Sequence, residues 1–196
     1  MKKDIILSGV GGQGILTIAA TIGFAAIEAG LNIKQSEVHG MSQRGGDVQS
    51  HLRLSDKEIA SDLIPFGKAD MIISVEPMES LRYLPMLSPD GWLITNTKPF
   101  INIPNYPEIG KVIAEIESLP RHIALDADGI AHEMKSPKSA NIVILGAASP
   151  FLDIDYTKLE HAIELIFGSK GENIVKMNKE ALKAGREIAD KIQIPA

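Results

Sequence analysis

Apolar positions along this chain follow two different spacings. Short runs rich in isoleucine, valine and leucine at residues 4–8, 33–38, 48–54, 71–75, 92–95, 111–114 and 122–125 predict strands. Between several of them, helical periodicity over 12–29, 77–84 and 128–134 predicts helices. Beyond about residue 138 the strand pattern stops. Residues 140–148 read as a buried helix, and 155–167 align Leu159, Ala162, Ile163, Ile166 and Phe167, with Asp155 as N-cap and Gly168 past the end. Residues 172–192 repeat the pattern with Ile174, Met177, Ala181, Gly185, Ile188 and Ile192. Strands alternating with helices predict an α/β fold, a three-layer sandwich with a mostly parallel sheet covered by helices on both faces. The chain is expected to form one domain over 1–196, with 1–138 as the α/β core and 139–196 as a helical segment packed on it.

The junction of the first strand and first helix carries the chain's most specific signal. Gly9, Gly11 and Gly14 have the G-x-G-x-x-G spacing of a dinucleotide fingerprint, which makes the predicted sandwich Rossmann-like. Glycines there permit a tight turn and bring backbone N–H groups to an anion at the helix N-terminus. From Ile15 to Gly30 the only charge is Glu28, so this helix is buried nearly all round, by the C-terminal helices or in part by another subunit. The proline-rich stretch 99–107 reads as an extended connector.

Composition narrows the function. The net charge of −5 without a basic tract argues against nucleic acid as the main partner. The longest apolar run falls short of the ~20 residues of a membrane span, and no signal-peptide pattern follows Met1, so a cytoplasmic protein is expected. With no cysteine, the chain can form no disulfide, supply no thiol nucleophile and offer no thiolate to an iron–sulfur cluster. The five histidines lack metal-ligand spacing, so no metal site is expected.

Ligands of open α/β sheets sit outside the carboxyl ends of the strands. The first strand delivers Gly9, Gly11, Gly12, Gln13 and Gly14 to that edge. The second delivers Glu37, His39 and the loop containing Gln43, Arg44, Gly45 and Gly46. These residues are the candidate cofactor contacts. Glu37 lies near the distance past the glycines expected of an acidic ribose ligand, which favours NAD or FAD, but Gly46-Asp47 leads straight into another strand rather than a plain βαβ unit. His39 is open to a proton-transfer role or a strand-end role. Glu76 before Pro77 reads as a helix N-terminal acid, and Asp126 and Asp128 as N-cap candidates. No catalytic set emerges: there is no nucleophile elbow and no Walker lysine after Gly14.

Taken together, Gly9-Val10-Gly11-Gly12-Gln13-Gly14, the segment from Ser36 to Gly46, and Glu76-Pro77-Met78-Glu79-Ser80-Leu81-Arg82-Tyr83-Leu84 resemble the gamma-type domain of 2-oxoacid:ferredoxin oxidoreductases. The last segment looks most like the small beta subunit of the indolepyruvate type. The similarity continues through Ala140-Asn141-Ile142-Val143-Ile144-Leu145-Gly146-Ala147 and Gly171-Glu172-Asn173. The resemblance implies a subunit of an enzyme that oxidatively decarboxylates a 2-oxo acid, such as an aryl pyruvate, to an acyl-CoA and passes electrons to ferredoxin. It implies thiamine diphosphate and iron–sulfur clusters on a large partner subunit, a hetero-oligomer, CoA at the interface, and an isolated chain without turnover. Ala127-Asp128-Gly129 lacks the thiamine signature, in keeping with a non-thiamine subunit. The alternatives are a gamma subunit acting on pyruvate or 2-oxoisovalerate, a free-standing dinucleotide-binding reductase, or a purely architectural subunit.

Overall fold

The computed structural model describes residues 1–40, 45–101 and 103–192. Six strands, β1 (Lys2–Val10), β2 (Asn32–His39), β3 (Asp47–Ser55), β4 (Ala69–Ser74), β5 (Leu87–Asn96) and β6 (His122–Leu125), form one sheet in the order β2-β3-β1-β4-β5-β6. β3 runs against both its neighbours, while β1, β4, β5 and β6 pair in parallel. Five strands therefore share one direction, as the alternating pattern predicts.

Alternation along the strands divides the core. Ile5, Leu7, Met71, Ile73, Trp92 and Ile94 face one layer of helices. That layer holds α1 (Ile15–Glu28), α5 (Ala140–Ala148), α6 (Tyr156–Phe167) and α7 (Glu172–Ala189), with α4 (Ala127–Glu133) at its margin. Ile6, Ile72 and Leu93 point the other way, toward α3 (Ile109–Glu117) and residues flanking α2 (Pro77–Arg82). α5 has no polar face because it is wrapped by the sheet and α7. The two helices touch backbone to backbone: a Cβ on Gly146 would lie 2.0 Å from the Leu182 carbonyl oxygen, and one on Gly185 would lie 1.9 Å from that of Val143.

Residues 111–114 do not form the strand that their apolar run predicts; they lie inside α3. Ile109, Val112, Ile113 and Ile116 share one helical face, and that face packs on the second core. The β-branched pair Val112-Ile113 mimics a strand only when read without its flanks. The first helix packs against α6 and α5 on its inner side but exposes Leu16, Phe24 and Ile27 on its outer one.

Candidate functional site

The glycine turn follows β1 at the carboxyl edge of the parallel strands. Gly14 is the N-cap of α1, with φ 85° and ψ 28°, a left-handed conformation that favours glycine. It offers no side chain to the free N–H groups of the first turn, which carries no acid. A Cβ there would also strike the Asn141 amide at 2.5 Å. Gln13 braces the turn from within: its Oε1 accepts from the Val10 N–H at 2.8 Å, and its Nε2 donates to the Val75 carbonyl at 3.4 Å. Val75 lies so close that a Cβ on Gly9 would meet its Cγ2 at 2.3 Å.

The turn has two sides. On one, the Gly11 N–H donates to the Gly46 carbonyl (2.8 Å) and the Gly45 N–H to the Gly11 carbonyl (3.4 Å), so the base of the β2–β3 connection is zipped to it. Gln43 and Arg44 lie outside the described residues. Glu37 pairs with Ser50, and the exposed His39 with Val48, both on the far side of β3. Because β3 lies between β1 and β2, Glu37 stands two strand spacings, about 10 Å, from the first strand. The sheet thus unites the glycines with Gly45 and Gly46 but holds Glu37 and His39 apart from them.

On the other side the turn opens into a cavity of about 880 Å³. Gly12, Gln13, Gly14 and Thr17 form one wall, with Val75 and Asn96 from the ends of the neighbouring parallel strands and Asp128 from the first turn of α4. The connector from Lys135 to Ala140 and the start of α5 at Asn141 close it laterally; Phe167, Lys170, Ile174, Met177 and Asn178 cover it. Asn96 ties the strand ends together. Its Nδ2 donates to Asp128 Oδ2 (2.6 Å) and to the Val75 carbonyl (3.3 Å), while its Oδ1 accepts from the Ala127 N–H (3.1 Å). Asn141 Nδ2 donates to the Gly14 carbonyl at 3.0 Å. α4 ends in a left-handed cap at Lys135 (φ 57°), with the Ser136 N–H bonded to the Ala131 carbonyl and the Lys135 N–H to that of His132.

The acids at the other strand ends act locally. Glu76 is buried and caps α2: its carboxylate accepts from the Glu79 and Phe100 N–H groups and from the Tyr106 hydroxyl. Burial, then that carboxylate, pushes the Tyr106 phenol well above its usual range. Asp126 caps α4 through the Gly129 N–H (2.8 Å). Tyr83 is pushed up to about 12 by burial and by the nearby carboxylates of Asp47 and Glu79. Among the described residues, no three acidic or histidine side chains form a metal-binding group. No described helix is long and apolar enough to cross a membrane.

A family model for the pyruvate ferredoxin/flavodoxin oxidoreductases matches residues 4–188. The chain belongs to that family. Among oxidoreductases of known assignment, the indolepyruvate oxidoreductase subunit IorB of Archaeoglobus fulgidus is 38% identical over 192 residues, 94% of each chain. The corresponding subunit of Pyrococcus horikoshii is 36% identical over 198 residues, covering 96% of this chain and 97% of its own. The same fold recurs in the 2-oxoglutarate:ferredoxin oxidoreductase of Magnetococcus marinus, with a TM-score of 0.79 and 23% identity, over 99% of this chain and 32% of that one. In that oxidoreductase the unit is one part of a much longer polypeptide.

The residues from Lys135 to Ser139, with Lys170 and Asn178, escape a reading of the sequence. They sit on segments that look like ordinary loop and helix surface, and only the packing of α5 and α7 brings them to the glycine turn.

Proposed function

We propose that this chain is the small, non-thiamine subunit of a 2-oxoacid:ferredoxin oxidoreductase of the indolepyruvate type. The observation that carries the reading is the end-to-end match to indolepyruvate oxidoreductase subunits. A cysteine-free chain cannot hold iron–sulfur clusters by thiolates, so electron transfer falls to the partner. The Asp128-Gly129 pair does not fit a thiamine site: Asp128 lies in the first turn of α4 and is engaged by Asn96. Oxidative decarboxylation of the 2-oxo acid on thiamine diphosphate accordingly belongs to the large subunit.

The Magnetococcus enzyme was solved with coenzyme A and succinyl-CoA bound. In this chain the uncapped N-terminus of α1 suits a phosphate-bearing coenzyme at the subunit interface. Gly9, Gly11, Gly12, Gln13, Gly14, Gly45 and Gly46 shape that edge; Gln43 and Arg44, which precede Gly45 in the sequence, lie outside the described residues. Glu37 and His39, set apart by β3, would meet the partner rather than the coenzyme. A free-standing dinucleotide reductase fits less well, because the ribose acid of that arrangement belongs on a strand beside the first.

Co-expression with a large subunit bearing clustered cysteines and a thiamine signature tests the reading. The pair is expected to oxidise indolepyruvate with CoA and to reduce ferredoxin, while either chain alone is inactive. A stable pair that oxidises no 2-oxo acid would overturn it.

A further inference from the structure

The connection between β3 and β4, residues 56–68, contains no helix or strand and is held down by side chains of the hairpin. Successive strand residues point to opposite faces of a sheet. While Leu52 and Leu54 enter the core beneath α1, His51 and Arg53 reach the connection on the other face. Arg53 donates to the carbonyls of Ser61 (2.9 Å) and Leu63 (3.0 Å), and His51 Nδ1 accepts the Ile64 N–H at 2.9 Å. These bonds seat Ile64 in the second core and leave Leu63 and Phe66 exposed on either side of it.

The two attachments respond differently to protons. A guanidinium donates at every accessible pH, whereas an imidazole nitrogen accepts only while it is unprotonated. The neutral ring that accepts at Nδ1 carries its proton on Nε2, which lies 3.0 Å from the Gln49 side-chain amide. A second proton turns Nδ1 into a donor facing another donor, and the bond to Ile64 is lost. That N–H is buried, and a buried donor without an acceptor costs about as much as the bond itself. Ile64 then gains by moving out.

The same connection offers the charged ring another partner. Asp62 lies two residues before Ile64, and among the described residues it has no ion pair. Burial disfavours the charged ring, the Asp62 carboxylate favours it, and Arg53 on the same strand opposes it. The groups paired with His51 on the neighbouring strands are uncharged, Ile6 on β1 and Ser36 on β2. Asp4 and Lys34 stand two residues along, opposite Arg53.

We propose that His51 is a proton-operated clasp on residues 61–66: the neutral ring holds Ile64 in the core, and the protonated ring releases it and pairs with Asp62. The two arrangements differ in where the apolar Leu63, Ile64 and Phe66 stand, so acid remodels this outer surface. Burial holds His51 below its ordinary value of 6.5 in the closed arrangement, so the open one binds the proton more tightly. The clasp is therefore fully closed above about pH 6.5 and opens as pH falls toward the lowered value. It belongs to this chain's own hairpin and does not depend on the subunit reading.

Amide hydrogen exchange of the full chain between pH 5 and 8, corrected for intrinsic rates, tests it alongside NMR titration of the His51 ring. Protection at Ile64 is expected to fall by up to about tenfold per pH unit in acid, the slope of one proton, while β3 itself stays protected. His51→Asn, which keeps an acceptor but cannot titrate, should make that protection independent of pH. Asp62→Asn should move the opening to lower pH. Thermal melts report whether the variants fold; should His51→Asn not fold, coincidence of the ring titration with loop exchange in the parent chain decides. Protection at Ile64 that ignores pH in the parent would overturn the proposal. So would a pH dependence that survives in His51→Asn, an opening unmoved by Asp62→Asn, or loss of protection at the loop and β3 together. None of these outcomes bears on whether the co-expressed pair turns over.

Discussion

Strands β1, β4, β5 and β6 run in parallel and deliver Gly12 to Gly14, Val75, Asn96 and Asp128 to one cavity, whereas the β2–β3 hairpin reaches the opposite side of the same turn through Gly45 and Gly46. The parallel half is apolar on both faces and buried under helices. The hairpin's outer strand is largely exposed along its length, and part of the hairpin's anchorage is polar. Arg53 on β3 donates to both oxygens of the buried Asp4 on β1, and to the carbonyls of Ser61 and Leu63. His51 on β3 accepts the Ile64 N–H at 2.9 Å through Nδ1. A site is thus fixed by an apolar frame on one side and by hydrogen-bonded attachment on the other, and the two should fail differently.

Arg53→Ala should strike the hairpin hardest. Asp4 would remain buried with only the exposed Lys2 as partner, at a cost of about 3 kcal/mol in denaturant unfolding. Hydrogen exchange should rise first around residues 56–68, and little at the cavity.

Gly185→Ala should strike the parallel half. The added methyl meets backbone that cannot rotate away, so α5 and α7 must separate, at a cost of about 2 kcal/mol. Here the cavity should loosen while the hairpin keeps its protection. Equal loss of protection in both halves, in either variant, would show that they unfold as one unit and erase the distinction.

The smallest effect is a pH dependence confined to the hairpin. Burial holds His51 below its ordinary value of 6.5. Unfolded chains therefore bind a proton near pH 6.5 that the folded protein refuses. The contribution is complete above that pH and is lost as pH falls toward the lowered folded value, at up to about 1.4 kcal/mol per pH unit. His51→Asn, which retains an acceptor for Ile64, should flatten this part of the stability profile.

Much of the parallel half was legible from residue patterns, since β1, the glycine turn and α1 form a contiguous segment whose periodicity changes at Gly9. The capping roles of Glu76 and Asp126 were equally readable, because a cap is a local event. The place of β3 was not: nothing in its alternation of Leu52 and Leu54 with polar neighbours says that it inserts between β1 and β2. That insertion parts Glu37 from the glycines and weakens the dinucleotide reading. Residues 111–114 misled because four residues are too few to separate a strand from one face of a helix. The lysines of the cavity were invisible for a different reason: Lys135, Lys138 and Lys170 come together only through the fold of the C-terminal helices.

The most direct test of the account is ferredoxin reduction by this chain co-expressed with a large subunit that bears clustered cysteines and a thiamine signature, supplied with indolepyruvate and CoA. The account predicts turnover by the pair and none by the small chain alone. Oxidation of a 2-oxo acid by the isolated chain, or an inactive but stably assembled pair, would contradict it.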